Sequence, residues 1–216
     1  LTRACLEVCA EYRNPVGILT KGPLGEHDLD VLQKLHREAR VRVSVSIPFI
    51  DEDHARAIEP WVAPPSRRLK TIERLAQAGI PVGVNVAPVI PGLNDEELVP
   101  VLEAARAAGA RSATWILLRL PGAVAPVFEE RIRAALPDRA QRILNRVRDT
   151  RGGLLNVARF GERMKGTGHH ADAIRALFLA TTRRLGLQPA STGDTGAHEA
   201  TTFRRPVRPR AQLELF

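Results

Sequence analysis

The sequence predicts an α/β fold on a parallel sheet, and three observations carry this. Short Val- and Ile-rich runs recur between residues 16 and 120, helical apolar stripes lie between them, and Gly and Pro mark their bounds. A strict alternation of strand and helix calls for parallel strands joined by right-handed crossovers. A doubly wound sheet and part of a β/α barrel both satisfy that order. In either, chemistry gathers at the C-terminal ends of the strands.

The chain opens with "LTRACLEVCAEY", a helical pattern already under way, and we expect a longer protein whose start lies upstream. Four strand runs follow: "VGILT" (16–20), "VRVSVSI" (41–47), "PVGVNVAPVI" (81–90) and "ATWILLRL" (113–120). Between the first two, Leu29, Leu32 and Leu35 share a helix face. Ser66 is the expected cap of the next helix, whose Leu69, Ile72 and Leu75 point one way before Gly79 stops it. Asn94 and Glu97 have capping-box spacing ahead of a stripe of Leu98, Val101, Leu102 and Ala105, with Pro100 expected to kink that helix. Beyond Pro121 the pattern is helical only, with two consecutive helices, a Gly-rich basic stretch "RGGLLNVARFGERMKGTGHH" and one more helix. From Gln188 the chain is polar and turn-rich, and disorder is expected. The division read from this is 1–122 for the β/α part, 123–186 for a helical extension and 187–216 for a flexible tail.

The 216 residues carry a net charge of +8, and Lys21, Lys34, Lys70 and Lys165 are the only lysines. Arginine's planar fork suits phosphate, and an Arg-rich, Lys-poor chain also reflects a GC-rich genome. No run reaches the roughly 18 apolar residues of a membrane span, and no signal peptide is evident, so the expected location is the cytoplasm, away from membranes. Cys5 and Cys9 lie one helical turn apart with no third ligand nearby, so they read as structural and no metal ligand is assigned.

Several strand ends carry candidate chemistry. Lys21 follows the first strand into a Gly-Pro loop and can meet an anion. Ser44 and Ser46 alternate with valines and share one sheet face, where hydroxyls can bond a polar ligand or nearby backbone. "APVIPGLNDEE" runs from a strand end into a helix N-terminus, which favours anions. Arg159, Arg163 and Lys165 can grip phosphate or nucleic acid, although "RFGERMKGTG" is no Walker loop. On spacing alone, that stretch reads as a solvated loop.

Taken together, "NPVGILTKG", "VRVSVSI", "AGIPVGVNVAPVIPGLND", "AGARSATWILLRLPG" and "RFGERMKGTG" resemble radical S-adenosylmethionine (SAM) proteins related to spore photoproduct lyase, over roughly residues 1–186. The resemblance implies the C-terminal half of a partial (β/α)6 barrel, with SAM and a 4Fe-4S cluster as cofactors. The family's C-x3-C-x2-C cluster motif is absent from this chain, so the resemblance places it upstream and implies an N-terminally truncated, inactive piece. By similarity, Lys21 would meet the SAM carboxylate, Ser46 and Ser44 would hydrogen-bond SAM, and Ala87 would offer backbone near the adenosine. Pro88, Ile90, Gly92 and Asp95 stand in the family's G-x-I-x-G-x-x-E pattern, and only Ile90 and Gly92 match it. The implied chemistry is reductive cleavage of SAM followed by hydrogen abstraction, with a role in DNA repair or nucleic-acid modification. The alternatives are a non-catalytic nucleic-acid or clamp-binding protein and a metabolic β/α-barrel enzyme with anion sites. The terminal "QLELF" resembles the peptide that bacterial repair proteins use to bind the replication sliding clamp. Gln212, Leu213, Leu215 and Phe216 match that peptide, and Glu214 departs from it.

Overall fold

The computed structural model describes residues 1–189 and 200–205. Four strands form where the Val/Ile runs predict them: β1 Val16–Thr20, β2 Val41–Ser46, β3 Val82–Val89 and β4 Ser112–Leu117. They pair in chain order and all are parallel. A two-residue strand, β5 Gln188–Pro189, adds to the far edge, in register with Ser112 and Ala113.

One face of this sheet meets α1 Thr2–Glu11, α2 Leu29–Glu38, α4 Pro65–Gln77, α5 Leu98–Ala107 and α8 Gly168–Leu185. Val43, Val45, Val82, Val84 and Val86 form the sheet side of that core, and Leu35, Ile72, Leu102 and Phe178 form the helix side. Each fully buried Leu or Ile contributes about 1.5–3 kcal/mol through removal from water. The opposite face carries Leu19, Ser44, Gly83 and Ser112 in one register row. Leu19 is 63% exposed and Arg42 is exposed, so that face is open at β1 and the start of β2, while Ser46 at the end of β2 is buried. Chain-order pairing with these helices on a single face has no reversal of strand order, which a doubly wound sheet requires. It is consistent with the arrangement of strands in part of a β/α barrel.

A second core lies beyond the C-terminal strand ends, where α3 Glu52–Ile58, α6 Val124–Ala135 and α7 Pro137–Asp149 pack together. Phe49, Ile90, Leu93 and Leu118 reach it from the loops after β2, β3 and β4, and Ile132, Ile143 and Leu144 meet them.

Local readings of the sequence differ from the structure at several points. Helix α4 begins at Pro65 without a side-chain cap, and the Ser66 hydroxyl donates to Glu52 at 2.5 Å. The Asn94–Glu97 capping box does not form, because both side chains bond to backbone beyond their own turn. Helix α5 starts only at Leu98, so Pro100 falls in its first turn, where its missing N–H costs nothing and no kink is required. Nor does all of 187–216 stand apart from the body. Gln188 and Pro189 join the sheet, the Arg204 amide donates to the Tyr12 carbonyl at 2.8 Å, and Phe203 stacks on Tyr12 with ring centroids 6.2 Å apart.

A 3-10 helix, Pro23–Asp28, carries Glu26 against α4. Its carboxylate accepts two hydrogen bonds from Arg67, at 2.6 and 2.9 Å, one from Thr71 at 2.8 Å, and one from Arg74. The Arg67 guanidinium, helped by Thr71 and Arg74, holds Glu26 down to about 2. A carboxyl depressed on folding stabilises the native state above its unfolded pKa near 4.5 and loses that contribution as pH falls toward 2. Acid unfolding should therefore steepen between about pH 4.5 and 2, and Glu26→Gln should flatten that limb while costing roughly 2–3 kcal/mol near neutrality. Denaturant midpoints measured across this pH range check both effects; parallel curves for the two proteins would count against the linkage.

Candidate functional site at the strand ends

The C-terminal ends of β1, β2 and β3 are laced together by buried polar side chains. Lys21, one residue past β1, pairs through its ammonium with Glu59, just past α3. Glu59 also accepts from Arg68 Nη2 at 2.9 Å. Arg68 is 2% exposed, and its other nitrogens donate to the Ala63 carbonyl at 2.6 Å and the Ser46 carbonyl at 2.9 Å. One carboxylate thus joins Lys21 to an arginine that holds the last residue of β2. The Ser46 hydroxyl donates in turn to the Ala87 carbonyl, 3.0 Å away on β3.

Asn94 ties the next pair of loops and is wholly buried. Its amide nitrogen donates to the Pro48 carbonyl at 2.6 Å and to the Pro88 carbonyl at 3.0 Å. Its oxygen accepts from the Ile90 amide at 2.6 Å. Glu97 accepts from the amides of Ile50 and Asp51, at 2.7 and 2.9 Å, and contacts His54 Nδ1 at 2.8 Å. Arg139 of α7 donates to His54 Nε2 at 3.1 Å. Arginine has no acceptor, so this geometry assigns the proton of a neutral His54 to Nδ1, facing Glu97. Asp95 accepts from the Gly92 amide and contacts His170 Nε2, both at 2.9 Å, and so fastens α8 to the loop after β3.

The residues singled out in the sequence fall into four sets. Lys21, Ser46 and Ala87 sit at neighbouring strand ends, with Ser46 and Ala87 in contact and Lys21 joined to Ser46 through Glu59 and Arg68. Ser44 lies half-buried on the open face, between Leu19 and Gly83 in register. The basic loop lies elsewhere, docked on β4, where the Met164 carbonyl accepts from the Leu117 amide at 2.9 Å. Within that loop Arg159 is spent on Glu162 at 2.9 Å, Arg163 lies over the Phe160 ring at 5.4 Å, and Lys165 is exposed. Gly166, which a phosphate cradle would use for close approach, is committed to packing. A Cβ there would fall 2.5 Å from Leu117 and 2.9 Å from the Thr150 carbonyl. Gln212, Leu213, Leu215 and Phe216 lie outside the described residues.

Sequence reasoning missed Glu59, Arg68 and His54, and it misread Asn94 as a cap. Arg68 had a signal, since Pro65, Arg68, Ile72 and Leu75 follow helical spacing and all four are buried. An arginine inside an apolar stripe marks a buried tie. Glu59 and Asn94 sit in loops, where no periodicity identifies a partner.

A four-iron cluster needs three thiolates or equivalent ligands. Among the described residues no group of three or more His, Cys, Asp or Glu could hold a metal, and Cys5 and Cys9 ride on α1, Cys5 exposed and Cys9 half-buried. The residues present do not fit a cluster. For SAM the fit is better. The open face carries small and polar groups at Ser44, Gly83, Ala87 and Thr114, and Lys21 supplies a cation at its edge. No helix among the described residues is long and apolar enough to cross a membrane.

Comparison with known proteins agrees with this reading of the sheet. An uncharacterised protein of Mycobacterium tuberculosis (strain H37Rv) is 37% identical over 110 residues, covering 50% of this chain and 32% of the relative. An uncharacterised protein of Mycobacterium bovis matches to the same extent. An uncharacterised protein of Acidianus two-tailed virus is 38% identical over 74 residues, covering 34% of this chain and 24% of the relative. The matched stretch therefore spans a third or less of these relatives' length. Residues 1–105, which hold β1, β2, β3 and most of α5, match the model of the radical SAM superfamily.

Proposed function

We propose that the open face of β1 to β3 is a SAM platform and that this chain is the SAM-contacting half of a radical SAM barrel of the spore photoproduct lyase kind. The observation that supports this most is the position of the superfamily match. It covers residues 1–105, and Lys21, Ser44, Ser46 and Ala87 all fall inside it, at or near the strand ends. Bound SAM supplies hydrogen-abstraction chemistry when a reduced 4Fe-4S cluster stands beside it, and the cluster's ligands are not among the residues described here. The chain's own part is to bind and orient. Lys21 offers an ammonium to the carboxylate end of the ligand, with Glu59 fixing its position. Ser44 offers a hydroxyl on the open face. The Ser46–Ala87 bond holds β2 and β3 at the spacing that the ligand bridges.

Equilibrium dialysis of SAM against the purified chain tests this reading. Lys21→Ala should weaken binding by about 1.5–2 kcal/mol, the lower part of the range for charge-assisted contacts, because Lys21 is partly exposed. Equal affinity of the variant and the unaltered chain would overturn the assignment. Three further proposals rest on sequence alone: a role in nucleic-acid modification, a cytoplasmic location, and capture of a replication sliding clamp by Gln212, Leu213, Leu215 and Phe216.

A further inference from the structure

The end of β4 holds two arginines that no carboxylate neutralises. Arg151, just past α7, is 2% exposed. Its terminal nitrogens donate to the Leu118 carbonyl at 2.6 Å and the Glu162 carbonyl at 3.1 Å, and its buried Nε has no partner among the described residues. Arg119 follows β4, its Nε is likewise buried without a partner, and its Nη1 faces the Met164 sulfur at 3.9 Å. The residues on either side of that methionine are Arg163 and Lys165, and neither forms an ion pair with a described residue. Glu162 is the loop's one acid, and Arg159 already takes it. Burial pushes the Arg151 guanidinium below the usual arginine range, and the charge of Arg119 pushes it the same way.

Burying a cation is costly unless an opposite charge accompanies it, and backbone carbonyls offer only dipoles in compensation. Here a second guanidinium adds repulsion. A protein that needed only a strut between Leu118 and Glu162 would gain nothing from a second cation at Arg119. An oxyanion seated beside Arg119 turns that cost into binding energy, since guanidinium forks match oxyanions bidentately. Arg119 and Arg151 together, with Arg163 and Lys165 flanking Met164 in sequence, exceed the single charge of a carboxylate and suit a multiply charged phosphate group.

We propose that Arg119, Arg151, Arg163 and Lys165 form a phosphate-binding site at the C-terminal end of β4, with Arg119 as its direct ligand. The site stands apart from the proposed SAM contacts, because Arg119, Arg151, Arg163 and Lys165 all lie outside the matched residues 1–105. It shares only Arg163 and Lys165 with the nucleic-acid reading. It differs from the phosphate grip read in the sequence, because Arg119 replaces the engaged Arg159.

Isothermal titration of the chain with inorganic pyrophosphate tests the site, with acetate at matched ionic strength as the carboxylate control. Pyrophosphate should bind and acetate should not. Arg119→Met should weaken pyrophosphate binding by about tenfold or more, as expected for loss of a charge-assisted contact. In phosphate-free buffer the same variant should melt no lower than the unaltered chain, because it removes repulsion against Arg151; a purely structural Arg119 would lower the melting temperature. Lys165→Ala, at an exposed position, should weaken binding without any folding defect. A parallel titration with a short single-stranded oligonucleotide identifies the source of the phosphate. Tighter oligonucleotide binding assigns a nucleic-acid backbone, and equal or weaker binding assigns a free phosphate ester. Absence of binding by both phosphate probes, or binding unchanged in Arg119→Met, would overturn the proposal. Neither result bears on SAM affinity, so the two sites fail separately.

Discussion

Arg68→Met is expected to destabilise the protein by about 3–5 kcal/mol, as removal of one partner from a buried ion pair typically does. The substitution keeps an apolar stem of similar length, so the loss is chiefly electrostatic. It leaves the carbonyls of Ala63 and Ser46 without their donor and Glu59 with Lys21 alone. Glu59 itself is largely buried, its side chain 12% exposed. The double variant Arg68→Met with Glu59→Gln should recover part of the loss, because no uncompensated carboxylate remains. Lys21→Ala should cost far less, since its side chain is 39% exposed and surface pairs contribute about 1 kcal/mol or less. Urea unfolding of the unaltered chain, Arg68→Met, Glu59→Gln and their double variant gives a double-mutant cycle, with Lys21→Ala measured alongside. Equal costs for Arg68→Met and Lys21→Ala would show that Arg68 is not the tie that its geometry implies.

This arrangement explains how much of the molecule the sequence reveals. The runs of β2 and β3 alternate valine with small or polar residues, and that period is visible without partners. Helix α5 reads equally well, since Leu98, Val101, Leu102 and Ala105 are all buried as their spacing requires. The choice between barrel and doubly wound sheet is not visible in that way. It depends on which side each crossover packs, and the two folds share their local patterns. Strand order and the single row of Leu19, Ser44, Gly83 and Ser112 bear on that choice, and neither is readable from local pattern. Helix α3 also escaped notice, because "EDHARAI" buries only Ala55 and has no stripe to detect.

The site was legible in part for a related reason. Lys21, Ser46 and Ala87 stand out as strand ends, a property of position along the chain. Their connectors, Glu59 and Arg68, reach them from elsewhere in the sequence, and polar partners of this kind follow no period. The basic loop shows the same limit from the other side. Arg159, Arg163 and Lys165 look alike in sequence, but the fold spends Arg159 on Glu162 and brings Arg119 beside Met164.

Asn94 provides the second large effect and tests whether the strand ends act as a unit. Asn94→Ala should cost about 3 kcal/mol or more, because each buried hydrogen-bonding group left unpaired costs roughly 1–3 kcal/mol. It strands the carbonyls of Pro48 and Pro88 and the amide of Ile90, in a place with no exposure to water. Asn94→Asp sharpens the test. It keeps the shape and still accepts from Ile90, but an ionised carboxylate would face two carbonyl oxygens. Burial and those dipoles should raise its pKa. A carboxyl whose folded pKa lies above its unfolded value destabilises the native state at neutral pH, and that penalty eases as pH falls through the folded pKa. The protonated acid can donate to only one of the two carbonyls, so recovery should be partial. Asn94→Asp should thus gain stability relative to the unaltered chain between about pH 7 and pH 5, and Asn94→Ala should show no such gain. Because Asn94 joins the loops after β2 and β3, both variants should also weaken SAM binding at a distance from Lys21. A stable Asn94→Ala protein, within about 1 kcal/mol of the unaltered chain, would mean that the loops are held by the apolar packing of Phe49, Ile90 and Leu93 alone.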